Sequence, residues 1–247
     1  MKIALCFSGL PRFIEQTVKN IYSNLIQEYD VDVFVHTWYE PGKLMRDCGA
    51  DEWSNYSFTS DPTNMIQTLY NVKSILVEPS KDFFSNSILR SYDSKPTLEK
   101  YMPHFLNEQG ERYYINAAHS MWYSIFQSNQ LKCEYETKNN MLYDIVIRCR
   151  FDEILNGPIC FENFNLDKIN VSHCCETPEF PYVRDWFAFS NSKNMNIYAN
   201  VINNLTYINT QIPDSERMNE RFLYQQLHNN NLSDVECYIF HKEFIRP

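Results

Sequence analysis

The first 38 residues constrain the fold more than any other part of this chain. KIALCFS (2–8) is an unbroken apolar run stopped by Gly9 and Pro11. Apolar residues then recur at Ile14, Val18, Ile21, Tyr22 and Leu25, spaced by three and four as one face of a helix requires. VDVFVHTW (31–38) is a second, β-branched run. Strand, helix, strand over this span predicts a βαβ unit with parallel strands.

The same alternation continues. Residues 41–71 are polar and read as a loop excursion, VKSILVEP (72–79) reads as a strand, and 80–111 is weakly patterned. Ile115, Ala118, Met121, Trp122, Ile125 and Phe126 form a helical stripe, with polar residues following to Asn140. YDIVIRCR (143–150) is the strongest strand; KINVSHCC (168–175) and RDWFAFS (184–190) read as further strands. Helices are expected from about Lys193 to Leu205 and from about Ser215 to His228, and VECYIFH (235–241) closes the sheet or packs on it. With no repeat and no linker, the pattern predicts one α/β domain over 1–247 with a mixed, mainly parallel central sheet flanked by helices.

Composition excludes several functions. The chain has 22 Lys and Arg against 31 Asp and Glu, a net charge of −9. Phosphate neutralisation needs clustered cations, so nucleic acid is not an expected partner. No apolar run approaches the length of a membrane span, and MKIALCFSGLPRF at the start is too short for a signal peptide. A cytoplasmic location is therefore expected; an enzyme with a lipid-linked acceptor could sit at a membrane surface, although no basic amphipathic helix supports that. At 247 residues the chain can bury a core without a disulfide or metal staple. Its 8 cysteines include no CxxC, Cys174 and Cys175 are vicinal, and Cys6 and Cys149 fall in expected strands, so free thiols are expected and zinc is not. The glycosylation sequons at Asn55, Asn170, Asn204 and Asn231 are read as unused.

In open α/β sheets, ligands bind beyond the carboxyl ends of the strands. Those ends carry Ser8, Gly9 and Arg12; His36, Thr37 and Trp38; and Arg148, Arg150, Asp152 and Glu153. The set suits a phosphorylated ligand with a heterocyclic base. Gly9 lets backbone approach a phosphate, the following helix offers N–H groups, and Arg12 adds a forked donor. An ordinary tight turn is the alternative, and neither GxGxxG nor GK[ST] is present. In RCRFDE, alternation would put Arg148 and Arg150 on one face, where they could clamp a pyrophosphate or pair with the adjacent acids. Asp152 could hold a divalent ion as one hard oxygen ligand. The alternative is an internal Arg–Asp/Glu cluster at a strand end. His119, within the helical stripe, reads as a core histidine.

ALCFSGLPRF, VDVFVHTW and above all YDIVIRCRFD resemble small GT-A glycosyltransferases, with the nearest likeness to WavE-like lipopolysaccharide- and capsule-building enzymes of bacteria and some large viruses. The likeness runs from residue 2 to about 245 and is thin over 41–111. It implies a transferase of polysaccharide biosynthesis that moves a sugar from a nucleotide-sugar donor to a glycan or glycolipid acceptor. The donor would sit on a half spanning about 1–150, and acceptor and catalytic groups on about 151–247. In that family a D-x-D motif binds a divalent cation, Mn²⁺ or Mg²⁺, with the diphosphate. The matching slot reads Arg150-Phe151-Asp152, so the first carboxylate is an arginine that could take over part of the metal's role.

The resemblance also puts Asp185 and Trp186 against a sugar and Glu220, in PDSERMNERFLYQQL (213–227), where an acid meets donor or acceptor. Glu220 would be the general base, with Asp185 its rival. The plain alternatives are strand-end hydrogen bonding for Asp185 and a solvated helix face with Arg217 and Arg221 for Glu220. His241 would be a further metal ligand, or merely structural. Trp38 would stack on the nucleotide base, or belong to the core. Two other readings stay open: a sulfotransferase or other nucleotide-dependent transferase, and a non-catalytic protein that binds nucleotide-sugar or glycan.

Overall fold

The computed structural model describes residues 1–41, 61–85, 95–101, 103, 106, 108–172, 174–177, 180–238 and 241–244. Most of the polar excursion, and much of the weakly patterned stretch between 80 and 111, lie outside these residues.

In chain order the elements are β1 (Lys2–Ser8), α1 (Ile14–Ile21), β2 (Asp30–Trp38), α2 (Thr63–Tyr70), β3 (Val72–Glu78), α3 (Lys95–Tyr101), α4 (Glu108–Asn139) and β4 (Ile145–Cys149). There follow β5 (Glu153–Leu155), β6 (Asn170–Val171), β7 (Cys174–Thr177), β8 (Phe180–Val183), β9 (Phe187–Ser190), α5 (Ser192–Ala199), α6 (Val201–Asn209), α7 (Asn219–Asn229), β10 (Glu236–Cys237) and β11 (His241–Phe244).

The main sheet has seven strands in the order β10-β6-β9-β4-β1-β2-β3. β1 pairs parallel with β2 and β4, β2 with β3, and β6 with β10, while β9 runs antiparallel to both of its neighbours. The fold is therefore α/β with a mixed, mostly parallel sheet, compatible with a Rossmann-like arrangement. From β3 the order runs back to β1 and then jumps to β4, so the connections change direction between β1 and β4. That is a topological switch point, the place where open α/β sheets generally bind their ligands, beyond the carboxyl ends of the two strands.

Alternation along the strands builds two core layers. Ala4, Cys6, Phe34, Val146 and Ala188 face Trp122 and Ile125 of α4, Tyr198 of α5 and Phe222 and Leu223 of α7. Leu5, Phe7, Val33, Val35, Ile147 and Phe189 face Ile14 and Ile21 of α1 and Ile66 and Tyr70 of α2. Burying one such side chain fully is worth about 1.5–3 kcal/mol. The polar half of α4 is also partly buried. Lys132 Nζ donates to Glu136 Oε2 (2.9 Å), Ser192 Oγ (2.8 Å) and Asn196 Oδ1 (2.7 Å), so its three protons are used and α4 is locked to α5. Glu136 Oε1 accepts from Ser192 Oγ and the Tyr143 N–H.

Several elements differ from the pattern reading. The helix after β1 opens into a π turn over Tyr22–Ile26, in phase with burial of both Ile21 and Leu25. KINVSHCC splits: Asn170 and Val171 join the main sheet, whereas Cys174–Thr177 forms a separate hairpin with β8. RDWFAFS is a strand only from Phe187. The helix from Lys193 breaks at Asn200 into α5 and α6, and a 3₁₀ turn at Asp214–Glu216 precedes α7. Within VECYIFH, β10 edges the main sheet, while β11, which starts at His241, pairs with β5 in a separate two-stranded sheet. Cys6, Cys133, Cys149, Cys160 and Cys237 are free thiols. No helix among the described residues is long and apolar enough to cross a membrane.

Candidate functional site

The switch point gathers charge from three directions. β1 ends at Ser8 and passes into a turn that holds Gly9 at φ +106° and Phe13 at φ +54°. Gly9 tolerates the left-handed value because it has no Cβ, and a Cβ placed there would meet nothing within 4 Å, so open space lies in front of it. The turn delivers Arg12 toward β4. β4 ends at Cys149, and the next residues supply Arg150 and Asp152. β9 runs against β4 with Cys149 opposite Phe187, which brings Asp185 and Trp186, just ahead of β9, to the same end of the sheet.

Asp152 lies at the centre and is 2% exposed. It accepts from Arg150 Nε (2.7 Å) and Nη2 (2.8 Å) and from Arg12 Nη2 (2.9 Å). Burial opposes its charge, but the Arg150 and Arg12 guanidiniums hold its carboxyl below the usual range. Burial likewise opposes the charge on Arg150, and Asp152, Asp185 and Glu153 keep it firmly protonated. Thr17 of α1 donates to the Phe151 carbonyl (2.6 Å), fixing the backbone beside Asp152.

A second ion-paired group adjoins the first. Arg148 points to the α4 side of the sheet, where its guanidinium donates to the Trp186 carbonyl (2.5 Å) and to Asp185 Oδ2 (3.5 Å). Arg184 lies over the Trp186 ring (4.5 Å) and reaches Glu220 Oε1 at 3.4 Å. Glu220 enters from the first turn of α7. Burial, then the neighbouring Asp185 charge, pushes its carboxyl above the ordinary value.

Of the residues singled out from the sequence, Ser8, Gly9, Arg12, Arg148, Arg150, Asp152, Asp185 and Glu220 belong to this end of the sheet. Arg148 and Arg150 do not form one clamp. Arg148 is inside β4 and Arg150 beyond it, where the regular alternation has ended, so each has its own carboxylate. The Gly9 N–H is not directed at a ligand: it donates to Ser124 Oγ (2.7 Å), and the Gly9 carbonyl accepts from Thr37 Oγ1 (2.8 Å). Trp38 is 4% exposed, packed against His36, Tyr123 and Phe83, which makes it a wall of the core and leaves little ring face for a base. The backbone of His241 pairs with Leu155, and its side chain lies outside the described residues.

A divalent cation asks for several oxygen ligands. Both oxygens of Asp152 are engaged by guanidinium protons, and its nearest charged neighbours are cations. Among the described residues no three His, Cys, Asp or Glu side chains converge as a metal site. As the structure stands, a cation on Asp152 would have to displace the Arg150 and Arg12 protons that its two oxygens accept.

Motif reading does not reach Ser124, Glu78 or Arg184. Ser124 leaves one trace, a polar residue three positions after Met121, in phase with the buried stripe of α4. Arg184 and Glu78 stand at strand boundaries as ordinary surface charges would. No protein-family model matches the chain, and no curated protein matches it.

Proposed function

We propose that this protein is a glycosyltransferase of GT-A type that transfers a sugar from a nucleotide-sugar donor to a glycan acceptor, with arginines neutralising the donor diphosphate. The observation that carries this reading is the charge cluster at the switch point, where Arg12 and Arg150 meet on Asp152 beside the Asp185–Glu220 carboxylate pair. A departing nucleoside diphosphate develops negative charge, and preorganised guanidiniums stabilise it where it forms. Asp152 orients both of them in advance. Glu220 is the better base of the two acids. Its side chain is 18% exposed, its ion pair with Arg184 is a long 3.4 Å contact, and its raised pKa suits proton abstraction from an acceptor hydroxyl. Asp185, tied to Arg148, raises that pKa and steadies the loop ahead of β9.

The test is a thermal-shift panel of UDP-, GDP-, dTDP- and CMP-sugars, each with Mn²⁺ and with EDTA. A ligand at 100 times its Kd adds about 2.7 kcal/mol, which is on the order of 5–10 °C for a domain of this size. One nucleotide class should shift the melting temperature, equally in EDTA, and Glu220→Gln should keep the shift while losing sugar transfer. No shift with any nucleotide at millimolar concentration would end the reading.

A further inference from the structure

A chain of hydrogen bonds runs from the surface to the β1–α1 turn. Lys81 Nζ donates to Glu78 Oε1 (2.7 Å), and Glu78 Oε2 lies 3.0 Å from His36 Nε2. His36 Nδ1 lies 2.8 Å from Ser124 Oγ, which accepts from the Gly9 N–H at 2.7 Å. Connectivity alone would suggest a Ser-His-Glu nucleophile. Ser124 and His36, however, are both 0% exposed, and one lone pair of the serine is occupied by Gly9. No substrate carbonyl can reach that oxygen. A carboxylate accepts only, so His36 donates from Nε2, its Nδ1 must accept, and the one Ser124 proton takes this 2.8 Å contact over the longer one to the His36 carbonyl (3.3 Å). The lone pairs of Ser124 are thereby turned to the Gly9 N–H.

We propose that Ser124, His36 and Glu78 are positioning residues that together set the conformation of the β1–α1 turn, holding the left-handed Gly9 so that the open space in front of it admits an anionic ligand. The ligand part rests on the glycosyltransferase reading; the relay itself does not. The three residues come from α4, β2 and β3, so the turn is registered to three elements at once. Thr37, which donates to the Gly9 carbonyl, completes the grip on both backbone polar groups of Gly9.

The test uses the full chain, amide NMR and inorganic pyrophosphate as probe. Glu78 is partly exposed and three links from Gly9, so Glu78→Gln is the gentle perturbation. A glutamine amide facing His36 Nε2 forces the other tautomer, turns the Ser124 proton away and moves the Gly9 amide resonance, although residue 78 never touches Gly9. Ser124→Ala should move the same resonance further and weaken pyrophosphate binding about tenfold, and Ser124→Thr should restore most of it. The proposal is overturned if the Gly9 resonance stays in place in both Glu78→Gln and Ser124→Ala, or if it moves while pyrophosphate affinity stays at the wild-type value. If wild-type protein binds no pyrophosphate, the anion reading of the turn falls, and the Gly9 resonance still decides the relay.

Discussion

Replacing Asp152 by asparagine separates an arginine-based site from a metal-based one. The carboxylate accepts three guanidinium hydrogen bonds of 2.7, 2.8 and 2.9 Å from Arg150 and Arg12. Its own side chain and that of Arg12 are buried, and Arg150 is about a quarter exposed. Removing one member of a buried ion pair costs about 3–5 kcal/mol, because the partner charge stays behind uncompensated. Asparagine keeps one acceptor oxygen and Arg150 keeps some solvent, so the lower end applies, about 3 kcal/mol. For a domain of this length that is a fall on the order of 6–12 °C in melting temperature. The variant then has two guanidiniums that have lost the Asp152 charge. Added pyrophosphate should therefore stabilise Asp152→Asn more than wild type, in EDTA as well as in Mn²⁺. Calorimetry of both proteins with and without pyrophosphate reads this directly. A melting temperature within about 2 °C of wild type, or a smaller pyrophosphate effect in the variant, would refute the view that Asp152 is the internal counter-ion of Arg12 and Arg150.

Three further outcomes are expected. Burial pulls His36 and His119 down to about 4 from an ordinary value near 6.5, so both are neutral in the fold and the unfolded chain takes up protons first as pH falls. Their stabilisation is complete above pH 6.5 and is lost between 6.5 and 4, on the order of 3 kcal/mol each; urea midpoints at pH 7 and 4.5 should differ accordingly, His119→Gln should narrow the gap, and equal midpoints would contradict the burial argument. Lys132→Met should cost about 3–5 kcal/mol by stranding Glu136, while the double variant Lys132→Met/Glu136→Leu should cost clearly less than the two singles combined; additive costs in urea unfolding would count against a coupled pair. Thr17→Val keeps the shape but removes the donor to the Phe151 carbonyl, an expected loss of about 1–3 kcal/mol; an unchanged urea midpoint would mean that this carbonyl does not depend on Thr17.

Periodicity made the layers of the fold legible. The run from Lys2 to Ser8, the three-and-four spacing after Ile14 and the β-branched run ending at Trp38 specify strand, helix and parallel strand, because each pattern buries one set of side chains in only one backbone conformation. The strand-end residues Arg12, Arg150 and Asp152 were legible for a related reason: charge at the end of an apolar strand has to be paired or put to use. What local pattern could not contain was the partner of each charge. The choice between a pyrophosphate clamp and an internal ion pair depended on where Asp152 sat relative to Arg12, 140 residues earlier. The gathering of Asp185 with Arg148 depended on β9 running against β4, and strand direction leaves no mark in the alternation of a four-residue segment. Trp38 reads the same in sequence whether its face is open or covered, and Tyr123, which covers it, lies on a different element.

By itself, then, the sequence determined the α/β alternation, the two apolar layers and the end of the sheet at which charge collects, since all three follow from short-range spacing of apolar and polar residues. Tertiary structure alone decided that Asp152 is held between two guanidiniums, that Gly9 is gripped by a serine on α4, and that Glu220 stands close enough to Asp185 to have its carboxyl raised. Those are contacts between elements distant in the chain, and the energy of a charge or a hydrogen bond is set by what surrounds it in space, not by what precedes it in sequence.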